Sequence, residues 1–212
     1  MGITYMDAKK LFRMDTRRTT YLIGLSPEGY VGHVYYGRRL KSEGNSYLLR
    51  MDERPFTPSV LEREKASFLD FFPTEYPAGG VGDYRESCLD VRCESGSIGC
   101  ELQFEDYRIL RGKPGLPGLP ASFGQEGEVE TLELVCRDAL LNLKVTLSYS
   151  VFADTDIITR SVQVENCGEQ HLKLEKVYSA CLDMDDRDYD MITLVGSWAR
   201  ERHIQRVVLR LY

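Results

Sequence analysis

The chain has 212 residues, with 27 Lys+Arg against 33 Asp+Glu, a formal net charge of -6 and 42% hydrophobic residues. That length can bury a full core, and the composition is that of an ordinary folded globular chain, not a disordered one. An acid excess argues against nucleic-acid binding and against a polybasic membrane-surface role, since both want a basic face.

Taken along the chain, the strongest pattern is strict alternation of apolar and polar residues. Thr20 to Leu25 and Tyr30 to Tyr36 read as strands flanking a hairpin turn, Ser26-Pro27-Glu28-Gly29. The segment from Asp52 to Gly82 is a long loop carrying Pro55, Pro58, Pro73 and Pro77. Within it Ser59 to Ala66 has room for two helical turns, with Ser59 as N-cap and Glu62 three residues on. Cys88 to Cys93 and Glu101 to Leu110 flank the turn residues Glu94-Ser95-Gly96. A second long loop, Gly112 to Gly127, contains Gly-Leu-Pro-Gly-Leu-Pro, far too short for a collagen helix.

Thr131 to Cys136 then leads through Arg137-Asp138-Ala139 into the clearest strand. There Leu141, Leu143, Val145, Leu147, Tyr149 and Val151 alternate with Asn142, Lys144, Thr146, Ser148 and Ser150. Only a strand places such a set on one face. Ile157 to Glu165, Leu172 to Leu182 and Met191 to Val195 complete the series. Short strands separated by turn signals predict an all-β, antiparallel sandwich, with at most one or two short helices in the 52–82 loop. With no clean linker, residues 1–212 are expected to form a single domain.

Few residues carry chemistry on their own. The six cysteines form no C-x-x-C pair and the chain has three His, so reduced thiols packed as small hydrophobes are expected, with no metal and no cofactor. The acidic run Asp183 to Asp190 lacks the glycine and terminal Glu of an EF-hand and reads as a solvated turn. His33, mid-strand beside Tyr35 and Tyr36, reads as packed or edge-exposed in preference to catalytic, and His203 lies in a charged tail. Trp198, the one Trp, either stacks on a sugar ring or fills the core. The N-terminal ten residues show no signal-peptide pattern, and no stretch nears the roughly 18 apolar residues of a membrane-spanning helix, so a cytoplasmic location with no membrane partner is expected.

An ordered set of motifs carries a resemblance. It runs from Gly32-His-Val-Tyr-Tyr-Gly37 through Glu75-Tyr-Pro77 and Gly82-Asp-Tyr-Arg85. It continues with Gly112-Lys-Pro114, Gly118-Leu-Pro-Ala121, Glu130-Thr-Leu-Glu133, Val145-Thr-Leu-Ser-Tyr149 and Ile158-Thr-Arg-Ser161, and ends with Leu172-Lys-Leu174 and Trp198-Ala-Arg-Glu-Arg202. In this order the chain resembles the N-terminal β-supersandwich domain of bacterial glycoside hydrolase family 36 α-galactosidases. Those enzymes cleave terminal α-galactosides such as melibiose and raffinose, and their catalytic acids lie on a (β/α)8 barrel that follows the sandwich. Retaining hydrolysis needs two carboxylates about 5 Å apart, and no residue here matches either one. The resemblance therefore implies an incomplete, non-catalytic domain that contributes a substrate-site loop and oligomer contacts.

By the same resemblance Asp52 is a substrate-binding candidate, since a carboxylate accepts two sugar hydroxyls at once. Lys65, or Arg63 beside it, is the basic residue of that loop, and Trp198 is the third substrate-binding candidate. Trp198 and Arg200 also suit a structural or subunit contact. Galactose or a galactoside is the implied ligand, and a homo-oligomer, tetrameric in relatives, the implied assembly. A stand-alone carbohydrate-binding or oligomer-scaffolding sandwich is the competing reading.

Overall fold

A computed structural model describes residues 2–43, 45–51, 68–80, 82–118, 121–182 and 188–209. The chain divides into two compact units, Met1–Leu182 and Asp183–Tyr212. The first unit is built on two four-stranded antiparallel sheets. One consists of β1 (Gly2–Met6), β2 (Leu11–Asp15), β3 (Thr19–Leu25) and β4 (Val31–Arg38), paired in that order. With β5 (Leu89–Cys93) set aside, the other consists of β6 (Gln103–Arg111), β7 (Val129–Asp138), β8 (Leu143–Phe152) and β9 (Ile157–Asn166). β10 (Leu172–Val177) pairs with β5 in a separate ladder. The second unit is a hairpin of β11 (Asp190–Ser197) and β12 (Arg200–Val208).

The all-β antiparallel expectation is met. Among the described residues the helical segments are three single 3-10 turns, Asp7–Lys9, Ser46–Leu48 and Ala153–Thr155. No helix there is long and apolar enough to cross a membrane. The helix expected over Ser59 to Ala66 lies outside the described residues.

Alternation explains the core directly. In β8 the side chains of Leu143, Val145, Leu147, Tyr149 and Val151 are all buried, and they pack with Leu132, Leu134 and Cys136 of β7. Phe12, Met14, Tyr21 and Ile23 come from the first sheet into the same core, and Leu89 and Val91 close it from β5. Aromatic rings stitch the layers together: Tyr5 stacks on Phe12 at 4.4 Å between centroids, and Tyr107 of β6 meets both rings at 4.8 and 5.1 Å.

The turn at Ser26 forms as expected. Its hydroxyl accepts from Glu28 N and Tyr30 N, its carbonyl accepts from Gly29 N, and Gly29 sits at φ 92°. Three strands lie where no strand was expected. β2 shows no alternation because it is buried on both faces, with Arg13 buried alongside Leu11, Phe12 and Met14. β1 pairs along β2, and β12 turns the charged tail around His203 into a strand through seven register pairs with β11. The turn after Cys93 is real, with Gly96 N donating to Cys93 O, yet β5 pairs with β10 and not with β6. β10 also ends at Val177, short of the expected Leu182: Tyr178 N still donates to Cys88 O, but Cys88 N turns to Pro77 O and Tyr178 O accepts from the Tyr76 hydroxyl.

All six cysteines are free. Burial pushes the Cys136 thiol up to about 12, so it stays protonated and inert.

One long-range ion pair ties the β8–β9 connection to the β2–β3 turn. Asp156 accepts from the Thr16 hydroxyl at 2.8 Å, from Arg18 N at 2.7 Å and from Arg18 Nε at 2.6 Å. The hydrogen bond from the Arg18 side chain, then that from Thr16, lowers its carboxyl to about 2 from 3.8. A carboxyl depressed on folding adds stability that is present above the unfolded value and disappears as pH falls through the folded one. Thermal unfolding followed by circular dichroism should therefore show a loss between about pH 4 and pH 2 that is smaller in Asp156→Asn. An identical acid profile in that variant would remove Asp156 from the account.

Candidate functional site

Two of the three substrate-binding candidates, Asp52 and Lys65, lie outside the described residues, as does Arg63. What is described is the frame on either side of them. Tyr30, Phe68, Leu69 and Phe72 form a second buried cluster, and Leu49 and Met51 pack against it. Met51 and Phe68, the described residues on either side of 52–67, both belong to it. The rings meet closely: Phe68 to Phe72 at 5.4 Å and Tyr30 to Phe68 at 5.8 Å, both edge to face.

The cluster sits where it does because of two glycines. Gly24 of β3 and Gly32 of β4 are cross-strand partners, so the sheet has a notch there with no side chains. A Cβ at Gly32 would stand 2.6 Å from both Leu49 Cδ1 and Phe72 Cζ. One at Gly24 would stand 3.0 Å from Leu49 Cδ2. Leu49 and Phe72 fill that notch.

Beyond Phe72 the chain runs along the edge of β4. His33 N donates to Pro73 O, Glu75 N donates to Val31 O, and Gly32 bridges to Thr74. Arg85 Nη2 donates to Phe72 O at 2.9 Å while binding the Asp83 carboxylate at 2.7 Å. Burial works to raise the Asp83 carboxyl, but the Arg85 hydrogen bonds outweigh it and hold the group below its usual range. Gly82-Asp-Tyr-Arg85 is thus a clamp on the aromatic cluster.

The register places Glu75 under the sheet edge, where the resemblance motifs converge. Its Oε1 accepts from Tyr21 Oη at 2.7 Å and from Tyr149 Oη at 2.8 Å, and Arg160 Nη1 lies 3.2 Å away. Its Oε2 faces His33 Nδ1 at 3.2 Å. Arg160 also lies over the Tyr149 ring at 4.8 Å and donates to Tyr149 Oη and to Cys181 O. Burial, with the Glu75 carboxylate second, pushes both the Tyr21 and Tyr149 hydroxyls far up, so they remain donors. Burial opposes the charge on Arg160, but Tyr149 and Glu75 together keep it charged.

Glu75 is 1% exposed. With both oxygens engaged it is closed to a substrate, and His33 is packed against it, as the strand reading allowed. This is a structural network, legible in part because His33, Glu75, Tyr149 and Arg160 each sit in a separate quoted motif. Among the described residues no three His, Cys, Asp or Glu side chains gather as metal ligands.

Trp198 is 94% exposed and does not pack within its own hairpin. It occupies the two-residue turn closing Ser197 against Arg200, with Ala199 in the left-handed region at φ 61°. A bulge between Val195 and Ser197, with Arg202 at φ 60°, gives the hairpin end a fixed local twist. Nothing in the turn covers the indole.

The family profile described as the Glycosyl hydrolase family 36 N-terminal domain matches residues 29–210. The bifunctional alpha-galactosidase/sucrose kinase AgaSK of Mediterraneibacter gnavus is 38% identical over 211 residues, 99% of this chain and 22% of its own length. Alpha-galactosidase AgaA of Geobacillus stearothermophilus is 38% identical over 207 residues, 97% of this chain and 28% of its own. The galactosidase domain of AgaSK superposes with a TM-score of 0.90 at 37% identity, covering 99% of this chain and 29% of that one. A doubly substituted variant of alpha-galactosidase AgaA from Geobacillus stearothermophilus, in complex with raffinose, superposes with a TM-score of 0.86 at 38% identity, covering 95% and 28%. The chain spans about a quarter of the length of these relatives.

Proposed function

The chain belongs to glycosyl hydrolase family 36, whose N-terminal domain it forms, and from that premise we propose that it serves an α-galactosidase as its non-catalytic sandwich. The substrates are terminal α-galactosides such as melibiose and raffinose, cleaved in carbohydrate catabolism in the cytoplasm. Residues 1–212 are read as one incomplete domain, and the catalytic acids belong to a barrel outside it. The sandwich lends the active site a loop: Asp52 accepts galactose hydroxyls, Lys65 adds a donor, and Trp198 offers an indole face to the sugar. The observation that carries this reading is the aromatic cluster on the Gly24–Gly32 notch, which includes Met51 and Phe68, the described residues flanking 52–67.

The hairpin supports a second contribution, contact between copies of the chain. Ile192, Leu194 and Ile204 share one face and are 63–75% exposed; Met191, Val195 and Val207 share the other and are 39–47% exposed. A two-stranded hairpin is marginal alone in water, and one that is apolar on both faces needs cover on both.

The test uses the 212-residue chain. Galactose titrated at millimolar concentration should shift amide resonances flanking 52–67, and Asp52→Ala should abolish the shifts. The chain alone should show no turnover of p-nitrophenyl α-galactoside. Turnover that vanishes in Asp52→Ala would overturn the non-catalytic reading; no galactose-dependent shift would overturn the loop's role. Sedimentation of the same samples across a dilution series should show concentration-dependent association, and a monomer throughout would remove the subunit contact.

A further inference from the structure

A cleft of about 610 Å³ lies on the outer face of the first sheet. Its floor is Thr4 of β1 with Arg13 and Asp15 of β2, and its rim is Arg39, Lys41 and Glu43, on the segment that follows β4. That volume is within the range of small-ligand sites.

The charge here opposes that of the molecule. Arg13, Arg39 and Lys41 line the cleft against Asp15 and Glu43, while the whole chain has an excess of six acids. Asp15 is shared between Arg13 at 2.8 Å and the rim residue Arg39 at 4.0 Å, and its oxygens are already engaged. Oδ1 accepts from the Thr20 hydroxyl at 2.6 Å and Oδ2 from Arg13 Nε at 2.8 Å. Arg39 stands 4.0 Å from Asp15, its nearest acid among the described residues, and Lys41 has no ion-pair partner among them. Glu43 is the one opposing charge on the rim, and its carbonyl accepts from Lys9 Nζ.

The cleft is also built rather than incidental. The Arg13 side chain is 11% exposed and pins the rim from below, donating to Ser42 O at 2.7 Å and Leu40 O at 2.5 Å. Thr20 Oγ1 accepts from Leu40 N. Arg13 thus commits three of its five N–H groups and keeps two. A partly saturated, buried guanidinium beneath Arg39, which stands 4.0 Å from Asp15, and Lys41, unpaired among the described residues, is a pre-organised anion cradle. Arg supplies a planar fork and Lys a mobile point charge, the pairing that suits a tetrahedral dianion.

The geometry points to a binding site for a phosphate-type oxoanion, held between Arg39 and Lys41 over Arg13. Free phosphate and the phosphate of a hexose monoester share this chemistry, and the cleft has room for either.

The experiment titrates inorganic phosphate and, separately, glucose 6-phosphate into the full chain, with ionic strength held constant by chloride. Saturable amide shifts confined to residues 39–43 and the floor of β2, with matching ³¹P line broadening, are expected. Arg39→Gln/Lys41→Gln should weaken binding at least tenfold, and Lys41→Gln alone should weaken it less. Both side chains are at the rim, so the fold should be unchanged by circular dichroism. Arg108→Gln, an exposed cation on β6, should leave binding intact. Tighter binding of glucose 6-phosphate would assign a sugar phosphate, and equal binding would assign free phosphate. No saturable shift at 39–43, or an equal loss in Arg108→Gln, would overturn the site.

Discussion

Arg160→Met should destabilise the chain by about 3–5 kcal/mol, the usual cost of breaking a buried ion pair from one side. For a chain of this size that is a fall of roughly 10 °C in Tm. The reason lies in what remains. Glu75, 1% exposed, would keep its two tyrosine donors and His33 but lose the guanidinium 3.2 Å away. The bond from Arg160 to Cys181 O would be lost, and the cation over the Tyr149 ring would be gone. Glu75→Leu should cost a similar amount by stranding Arg160. Arg160→Met/Glu75→Leu should cost clearly less than the two single changes added, because neither charge is then left buried alone. Urea unfolding of the four proteins gives the coupling directly. Strict additivity would mean the two side chains do not act as a pair.

Gly32→Ala is expected to cost about 1–3 kcal/mol, as overpacking does, although alanine suits a strand at least as well as glycine. The new methyl would stand 2.6 Å from Leu49 Cδ1 and from Phe72 Cζ, so both must move. These residues pack in the cluster that includes Met51 and Phe68, which flank 52–67, so the galactose-dependent shifts proposed above should weaken with stability. Leu49→Ala in the Gly32→Ala background vacates one side of the notch and should recover part of the stability. A Gly32→Ala protein as stable as the parent, with unchanged galactose response, would show that the notch does not set the frame.

These two effects differ in how far the sequence announces them. His33, Glu75, Tyr149 and Arg160 stand in four separate motifs, and each could be marked as noteworthy without the structure. That they meet at one carboxylate could not be read, because their positions depend on which strands become neighbours. The glycine notch is quieter still. Gly24 and Gly32 matter because β3 and β4 pair in the register that sets them opposite each other. Arg13 gave no signal at all: its strand lacks alternation, and a buried cation becomes reasonable only once Leu40 and Ser42 lie over it.

Local chemistry alone determined that the molecule is a β protein. Period-two alternation in β8 and turn residues such as Ser26 and Gly29 act over a few residues, so they survive in any fold consistent with the chain. The order of motifs likewise sufficed to identify the family. Pairing partners were decided only in three dimensions: β5 chose β10 over its sequence neighbour β6, and the charged tail became β12 by lying against β11. The same holds for burial of polar groups. A Glu, an Arg and two Tyr enter a core only when each finds the others there, and that condition is satisfied by tertiary contacts between distant segments.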